Sequence, residues 1–184
     1  LLDDHPNCIT IPGVIMSAFP QWFSEQESKD PEILTNNFCN DFYSIFDPMH
    51  ISESNSLPSV GKSPGLDQNF HKLGENQDEK VKFNVQAFKK NLLLFLEDFK
   101  NVKIDVFFEF VHLSYALLTK RDILKIKTIV FAMHAHNRSR AEFLSLFKTK
   151  IIMMIREPVQ STFSLIRHRI NNGNKPNLKI MLDI

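Results

Sequence analysis

Two small groups of side chains in the last third of the sequence have the types and spacing to do chemistry. His134 and His136 flank Ala135 directly after the apolar run Lys127–Met133, K-T-I-V-F-A-M. If that run is a strand that continues, alternation with period two points both imidazoles to one face. A histidine pair suits either metal ligation or removal of a proton from a hydroxyl near neutral pH. Metal ligation needs a third ligand, and none stands at a recognised spacing, with neither cysteine nearby. A catalytic base at the carboxyl edge of a strand is the reading the position favours. A hydrogen-bonded structural histidine is the plain alternative.

The second group is Arg156, Ser161 and Ser164. Five apolar residues, Ile151–Ile155, end abruptly at Arg156, and Pro158 follows two places later. A run that short, bounded by a charge and a proline, predicts a buried strand. Pro158 suits the first turn of a helix, where its missing N–H costs nothing. The unit is then strand, turn and helix start, with a guanidinium at the strand's end and hydroxyls in the first helical turns. Such an edge of an open α/β sheet binds ligands, and a helix start with arginine beside it attracts phosphate. Serine also decorates ordinary helix starts, and Arg156 beside Glu157 could be a solvated pair. Arginine closing an apolar strand is less ordinary, because its approach to the core has to be compensated. The expectation is an anion site for a phosphate group.

Other motifs carry less. Gly61–Lys62–Ser63 hints at a phosphate-cradling Walker A loop, but the glycine required five places earlier is Ser56, and the preceding stretch is Ser-rich rather than strand-like. Asn137–Arg138–Ser139 is a glycosylation sequon of a kind that is frequent by chance. His50, His71 and His112 have no partner pattern and read as structural or surface residues.

These residues need elements to hold them. Leu1–Pro6 reads as a helix end stopped before Pro6, Cys8–Pro12 as a short strand, and Pro12–Gly13 as a turn. Val14–Phe23 is apolar but broken by Pro20, and Glu25–Glu32 is polar. Ile33–Phe46 has helical apolar spacing, whereas Asp47–Asp78 is loop-rich, and a loop that long is usually functional or disordered. Val85, Phe88, Leu92, Leu93, Phe95, Leu96 and Phe99 form a helical stripe. A second helix is predicted from about Asp105 to Thr119, a strand over Lys127–Met133 and a short helix over Asn137–Phe147. The alternation of helices and strands in this half predicts an α/β fold with a parallel sheet and crossover helices.

Composition limits the choices further. The 184 residues are enough for one domain with a real core, and 43% hydrophobic with 23% charged is ordinary for a globular protein. A formal charge of +1 gives no basic excess of the kind nucleic-acid binding leaves. Gly is scarce (5) and Phe abundant (17), which argues against Gly-rich nucleotide loops within this sequence. Cys8 and Cys39 could form one disulfide, but two cysteines do not fix a compartment. No apolar run reaches the roughly 18 residues of a membrane span, and no signal peptide is visible. The sequence begins with Leu and reads as a fragment.

With these segments in place, the chain resembles the PAPS-dependent sulfotransferases. The likeness lies in the apolar strand ending in R-E-P at Arg156, with Ser164 eight positions later, and in the opening L-L-D-D-H-P-N-C-I-T-I-P-G. G-E-N-Q-D at Gly74–Asp78 and H-L-S-Y-A at His112–Ala116 are also similar to sulfotransferase-like sequences. The resemblance implies a P-loop NTPase-like α/β fold, truncated at both ends, with residues 1–184 as a single partial domain and 47–78 as a lid on the acceptor side. It implies transfer of a sulfuryl group from PAPS (3′-phosphoadenylyl sulfate) to a hydroxyl or amine of a small molecule or glycan, with PAP as product and no metal. Arg156 would pair with the 3′-phosphate and Ser164 would donate a hydrogen bond to it, with Ser161 as a further contributor. His134 would be the base, with His136 the alternate. The 5′-phosphosulfate loop is expected immediately before Leu1 and a donor-binding segment beyond Ile184, so residues 1–184 alone should bind the donor poorly. The resemblance does not choose between cytoplasm and Golgi lumen or name an oligomeric state. Two other classes share the fold: a P-loop kinase-like nucleotide-binding protein, and a catalytically inactive, sulfotransferase-like interaction module.

Overall fold

In the computed structural model, β1 (Cys8–Thr10) and β2 (Thr128–Val130) pair in parallel, with Cys8 opposite Thr128, Ile9 opposite Ile129 and Thr10 opposite Val130. The structure describes residues 5–11, 15–47, 82–132, 138–152 and 158–171. Parallel partners cannot be joined by a tight turn and need a crossover, and here the crossover is helical. Among the described residues it comprises α1 (Phe19–Glu25), α2 (Pro31–Asp41), α3 (Val85–Leu96) and α4 (Ile104–Leu118). After β2 come α5 (Arg138–Ser145) and α6 (Pro158–Asn171). The chain divides into two compact units, residues 1–148 and 149–184. The α/β class with a parallel sheet is present, in a helix-rich form with a small sheet that is two-stranded among the described residues.

In the first unit, α4 packs against β1, α3 against α4, and α2 against α3. Local chemistry sets the boundaries. Asp30 caps α2 by accepting from the amides of Glu32 at 2.9 Å and Ile33 at 3.1 Å, with Pro31 opening the helix. Asn84 caps α3 in the same way, accepting from Gln86 and Ala87 at 3.0 and 3.1 Å. At the other end of α4 the amide of Arg121 reaches Ala116 O and that of Lys120 reaches Leu117 O, a Schellman closure that places Lys120 at φ 57°. The turn delivers Arg121 Nη1 to the carbonyls of Cys8 (2.8 Å) and His5 (3.3 Å), tying the end of α4 to the start of β1.

Pro20 does not break its segment. It lies in the first turn of α1, where the backbone N–H has no intrahelical partner to lose, and so it initiates the helix. Lys29 closes the far end of α1, its ammonium donating to Phe23 O and Gln26 O at 2.6 and 2.7 Å while lying 4.4 Å from the Phe23 ring centre. Phe19, once delivered to the interior, meets the rings of Trp22, Phe23, Phe38, Phe107, Phe108 and Phe143. The Trp22 indole N–H finds Asp41 Oδ2 at 2.7 Å, which gives a largely buried indole its partner. The Phe83 amide donates to Phe46 O at 2.9 Å and Lys82 pairs with Asp47 at 3.6 Å, so the residues on either side of 48–81 meet at one place. The segment itself, including the expected acceptor-side lid, lies outside the described residues.

Candidate functional site

The parallel register puts the carboxyl ends of β1 and β2 side by side, with Thr10 against Val130. The chain leaves β2 through Phe131, whose ring sits 5.2 Å from Phe108 and 6.2 Å from Phe143. This fixes the exit from the strand against α4 and α5. His134 and His136 follow by two and four residues from Ala132, within the 133–137 stretch that lies outside the described residues. The predicted strand over Lys127–Met133 is thus found as the shorter β2, and the predicted helix over Asn137–Phe147 as α5.

The second unit carries the other group. Pro158 opens α6, with Ser161 in its first turn and Ser164 exposed in its second. Arg156 lies outside the described residues, so its approach to these serines is not described. The buried strand expected from Ile151 is corrected at its start: Ile151 and Ile152 belong to no strand and are 71% and 84% exposed. Apolar character alone cannot make a strand, because the backbone needs a neighbour to pair with, and neither residue has one among those described.

Electrostatics within the first unit single out groups to which the sequence assigned no chemical role. His112, expected to be structural or on the surface, is structural and fully buried, and burial pushes its imidazole down to about 4 against the opposing effect of its bond to Phe108 O. The signal for its burial was present, since Phe108, Val111, His112 and Tyr115 follow an i, i+3, i+4, i+7 pattern along α4. Cys8 on β1 and Cys39 in α2 are both free thiols, so the disulfide that two cysteines allow is not formed. Burial pushes the Cys39 thiol up to about 12, with Lys89 acting more weakly in the other direction. Burial also lowers the Lys29 ammonium.

Among the described residues no three His, Cys, Asp or Glu side chains come together as a metal site. No helix among them is long and apolar enough to cross a membrane. An open cleft of about 530 Å³ runs between α2 and α3, lined by Glu32, Asn36, Gln86, Lys89, Lys90 and Leu93, with Lys89 Nζ donating to Asn36 Oδ1 at 2.9 Å. It contains none of the residues that the sequence singled out for chemistry. No family model matches the chain, and comparisons with curated proteins and with solved structures gave no match.

Proposed function

We propose that this chain is part of a PAPS-dependent sulfotransferase of P-loop NTPase-like fold, which moves a sulfuryl group from PAPS to an acceptor hydroxyl or amine. The observation that carries the reading is the start of α6: the helix begins at Pro158, two residues after Arg156, and displays Ser164 from its second turn. A proline-opened helix of 14 residues leaves its first amides without intrahelical partners, and an exposed hydroxyl one turn further on fits a phosphate oxygen. The parallel pairing of β1 with β2 agrees with the same fold and brings the chain to the carboxyl edge of the sheet just before His134.

In this assignment Arg156 pairs with the 3′-phosphate, Ser164 donates a hydrogen bond to it, and Ser161 adds a second hydroxyl. His134, with His136 as alternate, takes the proton from the acceptor as its oxygen or nitrogen attacks sulfur. PAPS supplies the activated sulfuryl group, and the chain's own residues hold its phosphate and deprotonate the acceptor.

The test is calorimetry of PAP binding to the full-length gene product. Arg156→Ala should weaken PAP binding by about 2–4 kcal/mol if the guanidinium meets a desolvated phosphate. Unchanged PAP affinity would remove Arg156 from the site. ATP binding in preference to PAP would favour a kinase-like nucleotide-binding protein, and binding of neither would favour an interaction module.

A further inference from the structure

His112 stands in the middle of α4 with no exposure to solvent. Its Nδ1 lies 2.8 Å from Phe108 O, one turn back; a carbonyl only accepts, so Nδ1 carries the proton and Nε2 holds a lone pair. Nε2 is buried and has no hydrogen-bond partner among the described residues. The imidazole rests against the Phe108 ring, centre to centre 4.4 Å. Phe108 is in turn the side chain on which three other elements converge: it meets Phe19 of α1 at 5.2 Å, Phe131 at the end of β2 at 5.2 Å, and Phe143 and Phe147 of α5 and its exit at 5.0 and 5.6 Å.

Among the described residues no counter-charge serves the ring. On α4 itself the other described ionisable groups are Asp105, the exposed Glu109 and the buried Tyr115. The elements packed against α4 offer Lys89 and Lys90 of α3, Cys8 of β1, Lys125 of the turn before β2, Glu25 of α1 and Glu142 of α5. None of these described groups forms an ion pair or hydrogen bond with the imidazole. A second N–H at Nε2 would bury a cation without an acceptor or an opposite charge, an arrangement folded proteins relieve by opening to water.

We propose that His112 is an acid-sensitive latch: protonation at Nε2 releases the Phe108 cluster and loosens α5 and the end of β2 before the rest of the first unit. The short α5 is the element to go first because Phe143 and Phe147, which seat it, both lean on Phe108. The direction with pH follows from the buried ring, which stays neutral in the fold down to about 4, whereas an exposed histidine charges below about 6.5. The contribution is present above pH ~6.5 and is lost as pH falls toward the folded value.

The test pairs imidazole NMR with amide hydrogen exchange in α5, corrected for intrinsic rates, at pH 7 and 5 in wild type and in His112→Phe. His112→Gln serves as the second variant should the first fail to fold. The wild-type ring should remain neutral in the folded state at pH 5, while the opening constant of the α5 amides rises by up to about 30-fold, and the rise should vanish in the variant. A ring that titrates near pH 6.5 with α5 still protected overturns the latch. So does the same acid dependence in the variant, or a loss of protection that is uniform across the unit.

Discussion

Cys39 and Cys8 show how far position alone separates two identical side chains. Cys39 is buried in α2, and its thiol is pushed up to about 12, so it carries almost no thiolate at pH 8, whereas Cys8 is half-buried on β1. An aromatic disulfide reagent at pH 8 should therefore modify native protein in two phases, a faster one for Cys8 and one for Cys39 limited by opening of the fold; two equal fast phases would contradict the burial. Because the folded thiol titrates higher than the unfolded one, its contribution to stability is full below about pH 8.5 and declines as pH rises toward the folded value. The burial of His112 is legible in its own helix, although its lack of a partner pattern left it between a structural and a surface role. Its apolar neighbours at helical spacing put it inside, but the orphaned Nε2 depends on what α1, β2 and α5 bring around Phe108.

At the level of elements, apolar stripes carried the most information. The apolar stripe from Val85 predicted α3, and Asn84 just ahead of it does accept from two amides of the first turn. Asn84→Ala should lower unfolding free energy by about 1 kcal/mol, read from the urea midpoint, while Asn84→Asp should keep most of it. No change on Asn84→Ala would mean that packing against α2 and α4 holds the helix start without the cap. Where sequence patterns misled, the missing information was a partner. Pro20 looked like a breaker because composition does not say which turn of a helix a proline will occupy. Ile151 and Ile152 looked like the start of a buried strand because an apolar run does not say whether a neighbouring strand is there to receive it.

At the scale of the molecule, stability is concentrated in the aromatic interior of the first unit. Phe19 contacts six other rings there and is fully buried. Phe19→Ala should cost about 3–5 kcal/mol in equilibrium unfolding, since it removes contacts from several elements and leaves a cavity. Phe163→Ala on α6, at a ring that is 67% exposed, should stay within about 0.5 kcal/mol. Comparable losses from the two would refute the view that the first unit's aromatic cluster dominates.

The sequence by itself determined the helices α2 to α6, marked two of its short apolar runs as strands, and placed the chain in the α/β class with a parallel sheet. These follow from local periodicity and from the crossover that parallel strands require. It also marked Arg156, Ser161, Ser164, His134 and His136 as the residues with chemistry to offer, of which the structure positions Ser161 and Ser164 on α6. Only the tertiary structure decided the register of Cys8 with Thr128, the convergence of α1, β2 and α5 on Phe108, the separation of the two thiols and the orphaned Nε2 of His112. Each of these depends on contacts between residues far apart in sequence, and a local pattern holds no record of the distance across which a side chain will be satisfied.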